Sequence, residues 1–146
     1  MPFETGKHRS MDDLQHLRPL QADQPVVLVA EDEAMIRNMV RIALERIGMF
    51  VLTAGNGEQA VQLSRKFPGT IQALVSDIIM PKLDGLGLCE QIRRERPATR
   101  LLLISGAGCA VDGIPFLQKP FMIDELKQKV RQMVAEATLA LSNVVI

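Results

Sequence analysis

The chain contains no tryptophan and no tyrosine, and its five phenylalanines make up an aromatic share of only 3%. A core must therefore be packed from Leu, Ile, Val, Met and Ala. Cysteine is equally scarce. Cys89 and Cys109 stand twenty residues apart, with no CxxC spacing and no nearby histidine, which excludes a disulfide framework or a zinc site and fits reduced cytosolic thiols. His8 and His16 have no partner at metal-ligand spacing and receive no role. Neither charge sign is in excess: seventeen basic residues balance seventeen acidic ones, so nothing suggests a polyanion- or nucleic-acid-coating surface. Apolar runs such as Leu101–Ile104 fall far short of the ~20 residues needed to span a bilayer. The segment Met1–Arg18 lacks the apolar stretch of a signal peptide. These absences leave a cytoplasmic, single-domain protein with neither nucleic acid nor membrane as partner. At 146 residues such a chain buries enough surface, ~68–70%, to fold without a staple.

What is present alternates. Residues 1–24 mix Pro, Gly, Ser and charges without sustained periodicity and read as a flexible N-terminal arm, although Met11, Leu14 and Leu17 recur every three residues and leave a short helix open. Val26–Ala30 is a continuous apolar run, as expected of a strand buried on both faces. Ile36, Met39, Val40, Ala43, Leu44 and Ile47 then form a helical stripe stopped by Gly48. Strands are predicted at Phe50–Ala54, Ile71–Ser76, Leu101–Ile104 and Ile114–Leu117. Helices are predicted at Glu58–Phe67 (presenting Ala60, Val61, Leu63 and Ser64), Leu86–Arg94 (with Cys89 and Ile92 inward) and Ile123–Ala137 (with Ile123, Leu126, Val130, Met133, Val134 and Ala137 on one face). Asp84-Gly85 reads as a turn. Strand–helix alternation predicts an α/β fold, a doubly wound parallel sheet of five strands. The domain is expected over residues 25–138, with residues 139–146 as a C-terminal tail.

Ligands of open parallel sheets bind outside the carboxyl ends of the strands. Those ends are followed by Glu31-Asp32-Glu33, by Asp77, by Ser105 and by Lys119-Pro120. Carboxylates gathered there repel one another, and a hard divalent cation such as Mg²⁺, which favours oxygen ligands, relieves the repulsion. An aspartate at the centre can act as a nucleophile toward phosphorus, with a metal and Lys119 neutralising the phosphoryl group.

These residues, together with Ile78-Ile79-Met80-Pro81, Asp84-Gly85, Ser105-Gly106 and Phe121, resemble the receiver domain of two-component response regulators, the CheY-like family. The likeness covers roughly Pro25 to Ala137. It implies the flavodoxin-like strand order 2-1-3-4-5, and a stand-alone receiver in which Asp77 takes a phosphoryl group from a phospho-histidine of a sensor histidine kinase or a phosphotransfer protein. It further implies Mg²⁺ held by Glu31, Asp32, Asp77 and the main-chain carbonyl of Ile79. Lys119 would pair with Asp77, Ser105 would follow the phosphoryl group, and Phe116 would be the switch aromatic. The Lys119–Pro120 bond would be cis. The product of the event is a change in protein–protein contacts with an unidentified downstream protein, not turnover of a substrate, so the chain is read as a non-enzyme.

Departures from the family are equally informative. Only thirteen residues separate Ser105 from Lys119, and once the fifth strand is set aside Gly106–Gly113 is too short and glycine-rich for a stable helix. The family's fourth helix is therefore expected to be absent or reduced, as in receivers attached to hybrid histidine kinases. The usual dimer face lies there, which leaves the oligomeric state open. Ile79 and Ala107, each two residues beyond a key position, cannot orient an attacking water, so slow self-dephosphorylation is expected. Two other readings remain. One is a phosphorylation-independent interaction module on the same fold. The other is a Mg²⁺-dependent phosphohydrolase, which usually needs an acid where Ile79 stands and a cap over its substrate.

Overall fold

The computed structural model describes residues 24–106 and 113–144, with side chains described as far as residue 139. The order of elements is β1 (Val26–Ala30), α1 (Ala34–Arg46), β2 (Phe50–Ala54), α2 (Gly57–Lys66), β3 (Ala73–Asp77), α3 (Gly85–Glu95), β4 (Arg100–Ser105), β5 (Phe116–Gln118) and α4 (Ile123–Val144). The five strands are parallel and ordered β2-β1-β3-β4-β5, the doubly wound order expected.

The apolar runs are explained by two-sided burial. Along β1, Val26, Leu28 and Ala30 pack into one cluster with Leu52, Leu63, Leu74, Leu88 and Ile92, on the side of α2 and α3. Val27 and Val29 point the other way, into a cluster with Leu44, Val75, Leu102, Leu126 and Val130, on the side of α1 and α4. Alternating side chains of one strand thus serve two cores, and each fully buried aliphatic contributes about 1.5–3 kcal/mol before its entropic cost. The inward residues predicted for α2, α3 and the last helix are buried, except Ile123, which is half-buried. Met39 is the exception on α1: expected on the inward stripe, it is 46% exposed.

Several boundaries shift for local reasons. β3 ends on Asp77 itself, and β4 includes Ser105, because the ladder pairs Asp77 with Ile104 and Ser105 with Gln118. Asp84 is not a simple turn residue. Its carboxylate accepts the Gly87 N–H at 2.8 Å and caps α3, as Asn56 caps α2 through the Gln59 N–H. The last helix passes Ala137 and runs to Val144, since no Gly or Pro interrupts the chain there. No helix among the described residues is long and apolar enough to cross a membrane.

Between β4 and β5 the described residues contain no helix. The central part of that connection, residues 107–112 with Ala107 and Cys109, lies outside the described residues, as do the arm expected at 1–24 apart from Gln24, His8 and His16 within it, and the final two residues of the tail. Cys89 is a buried free thiol on α3.

One side chain secures the far end of this scaffold. The Arg96 guanidinium donates from Nε to Ser64 Oγ (2.8 Å), from Nη2 to the carbonyls of Ser64 (2.7 Å) and Phe67 (2.9 Å), and from Nη1 to the Gly69 carbonyl (2.8 Å). It thereby satisfies carbonyls left open where α2 ends. Arg96→Ala is expected to lower stability by about 2–3 kcal/mol, since charged hydrogen bonds contribute roughly 1.5–3 kcal/mol and carbonyls are left bare. Urea denaturation measures it, and Arg96→Lys is expected to recover less than half, because an ammonium cannot reproduce the planar fork.

Candidate functional site

The candidate site sits at the carboxyl ends of β1, β3, β4 and β5. The ladder carries β1 to its last paired residue, and Glu31 follows with its N–H donated to the Ala54 carbonyl at 3.0 Å. Its side chain is therefore directed from the sheet edge and is buried, only 3% exposed. Arg37, one turn into α1, donates from Nη1 to the Glu31 carbonyl at 2.8 Å and holds the β1–α1 turn. Asp32, next in the chain, is exposed.

Asp77 ends β3 and is 8% exposed. The loop behind it is set by two close approaches. The Gly85 N–H donates to the Ile78 carbonyl at 2.7 Å, and a Cβ on Gly85 would stand 2.2 Å from the Asp77 carbonyl oxygen. A Cβ on Gly57 would likewise stand 2.0 Å from the Leu83 carbonyl. Only glycine lets the starts of α2 and α3 close on this loop. Within it, the Ile79 N–H lies 3.4 Å from Asp77 Oδ1, while the Ile79 side chain is 70% exposed.

Lys119 follows β5. Its N–H donates to the Ser105 carbonyl at 2.8 Å, and its bond to Pro120 is cis, as the resemblance implies. The ammonium reaches back across the sheet to Asp77 Oδ2 at 2.8 Å and to Glu31 Oε1 at 3.2 Å. Glu31, Asp32 and Asp77 each offer a carboxylate oxygen, all within 4.8 Å of one another. Four of the residues singled out by sequence are thus one constellation. Ser105 is buried at the adjacent strand end. Phe116 opens β5, half-buried. The register pairs Leu103 with Phe116 and Ser105 with Gln118, so Ser105 and Phe116 project to the same face of the sheet, two positions apart along neighbouring strands.

Electrostatics follow from the geometry. Burial pushes the Glu31 carboxyl up to about 7, aided by the charge of Asp77 and by Asp32, against the opposing pull of the Glu33 N–H and Lys119. Burial disfavours the Lys119 ammonium, yet hydrogen bonds and charge from Asp77 and Glu31 outweigh it and hold its pKa above the ordinary value. An excess of negative charge surrounds one fixed cation. The donor set is all oxygen, and a hard divalent cation fits it. Arg37, which holds the β1–α1 turn, and the glycines that admit the loop escape sequence reasoning. Arg37 reads as an ordinary helix-surface arginine, and nothing local marks a glycine whose neighbour is distant in sequence.

Comparison with known proteins agrees with this geometry. Residues 27–131 match the family described as "Response regulator receiver domain". The chain is 35% identical over 126 residues to a "Probable transcriptional regulator ycf27" of Porphyra purpurea, covering 80% of this chain and 50% of that protein. It is 32% identical over 119 residues to the "Probable transcriptional regulatory protein TcrX" of Mycobacterium tuberculosis, covering 75% and 50%. The chain thus spans about half the length of these curated relatives. Among solved structures, the receiver domain from the hybrid histidine kinase CckA is 35% identical with a TM-score of 0.68, covering 75% of this chain and 98% of that one. The receiver domain of the Francisella response regulator 1452 is 28% identical with a TM-score of 0.68, covering 77% and 98%. Strand order, strand-end carboxylates and the cross-sheet lysine, together with these matches, place the chain in the response regulator receiver domain family of two-component signalling.

Proposed function

We propose that Asp77 is the phosphoacceptor, taking a phosphoryl group from a phospho-histidine of a sensor histidine kinase or phosphotransfer protein. The observation that carries this reading is the Lys119 ammonium on Asp77 Oδ2, at 2.8 Å, inside a ring of carboxylates. A carboxylate oxygen of Asp77 forms the new P–O bond as the donor's P–N bond breaks, and the imidazole leaves. Lys119 then balances charge on the phosphoryl oxygens. Glu31, Asp32, Asp77 and the Ile79 carbonyl would hold Mg²⁺, which supplies further charge neutralisation when bound. Ser105 would hydrogen-bond the phosphoryl group, and Phe116, on the same face, would follow it. The new dianion favours one loop arrangement over another, and the consequence is a change of protein partner in the cytoplasm rather than substrate turnover. The domain is assigned to residues 25–138.

Intact mass spectrometry after incubation with acetyl phosphate and Mg²⁺ tests the acceptor. One phosphoryl-sized gain is expected, lost in Asp77→Asn and without metal. A gain that persists in Asp77→Asn moves the acceptor elsewhere. Folded protein that binds Mg²⁺ yet gains no mass, even from a donor kinase, supports the phosphorylation-independent module instead.

The Glu31 carboxyl, raised to about 7, must release its proton before it can ligate a cation. As pH falls through 7 the group is increasingly protonated, so Mg²⁺ affinity is expected to drop, by up to about tenfold per pH unit. Calorimetric titration at pH 8 and pH 6 reads this, and Glu31→Gln is expected to flatten the difference.

Ile79 presents an apolar side chain where a polar one could orient water. Loss of label from the phosphoprotein is therefore expected to be slow, and Ile79→Glu is expected to speed it about tenfold, the effect of roughly 1.4 kcal/mol on a barrier. Following the phosphorylated mass with time gives both rates.

A further inference from the structure

An apolar groove runs along α1 where that helix meets α4. Met35, Met39, Ile42 and Ala43 line one wall and Ile123 the other. Met35 is 83% exposed, and Met39 and Ile42 are also exposed, a spacing of four and three that makes one continuous helical stripe. The two charged residues lining the groove, Arg46 and Lys127, are both basic. The apolar strip continues through Ile36, Pro120 and Phe121 to Lys119.

We propose that the occupant of this groove is the chain's own segment 11–20, Met-Asp-Asp-Leu-Gln-His-Leu-Arg-Pro-Leu. Three observations support that choice over a second copy. First is where the segment joins the fold. Gln24 Nε2 donates to the Gly48 carbonyl at 3.2 Å, and the Phe50 N–H donates to the Pro25 carbonyl. The chain therefore enters beside the end of α1, at the Arg46 end of the groove. Second is reach. The groove extends about 16 Å from Arg46 to Met35 at ~1.5 Å per helical residue. The residues between Gln24 and Leu17 span up to about 23 Å when extended, so every part of the groove is accessible to Leu17, Leu14 and Met11. Third is chemistry. Met11, Leu14 and Leu17 recur every three residues and share a side in a helical turn, with Leu20 beyond Pro19. Asp12 and Asp13 supply the negative charge that Arg46 and Lys127 lack. Docking removes exposed methionine and leucine surface from water, and the tether raises the segment's effective concentration at the groove.

Peroxide oxidation of the full chain, read at each methionine by peptide mass mapping, tests the docking itself and requires no phosphorylation. Met35 and Met39 are expected to oxidise at least about threefold more slowly in the natural chain than in Leu14→Asp/Leu17→Asp, a protection that follows from a mostly occupied groove. Met122, exposed outside the groove, serves as reference and is expected to react equally in both. Circular dichroism verifies that the variant is folded, and Asp12→Lys/Asp13→Lys provides a second variant with the same expected direction. Equal rates in the natural chain and both variants overturn the proposal. So does a protection that grows with protein concentration, which assigns the groove to a second copy of the chain.

Discussion

The Lys119 ammonium held between Asp77 and Glu31 is the interaction on which the site depends. Three carboxylates approach one another in a partly dry pocket, and like charges so placed cannot all remain ionised without a counter-charge. Lys119 supplies a single positive charge, shared at 2.8 and 3.2 Å. The shortfall is visible in Glu31, whose carboxyl holds its proton to about pH 7. The pocket thus carries more negative than positive charge, and its all-oxygen donor set suits a hard divalent cation.

The scaffold delivers these groups by the geometry of parallel strands. Each strand ends at the same edge, so Glu31, Asp77, Ser105 and Lys119, distant in the chain, converge without any element bending toward another. Precision comes from the loops. Gly57 and Gly85 admit helix starts against the loop behind Asp77 at distances that no side chain permits. The Lys119 N–H on the Ser105 carbonyl ties the end of β4 to the lysine.

The described residues between β4 and β5 include no helix, while α1 presents methionines to water and α4 continues to Val144. An exposed stripe on α1 is unexpected for a helix whose other face closes a core.

Much of this was legible in the amino-acid order. Two-sided apolar runs announced a parallel sheet because burial on both faces erases the alternation of a half-exposed strand. Acids and a lysine directly after such runs announced a site, since strand ends in this topology share an edge. Other features are relations between distant residues and leave no local trace. Met39 lies on the predicted inward stripe, but how far α4 covers that stripe is decided by helix packing. Arg96 looks like any surface arginine until the end of α2 is brought beside it. Ile71–Ser76 showed apolar character but not where the ladder stops, and pairing with Ile104 is what carries β3 through Asp77. The sequence by itself determined the layers of the fold and the chemical identity of the site. Tertiary structure decided the distances, the charge balance of Glu31 and the exposed face of α1, because each depends on atoms that only folding brings within reach of one another.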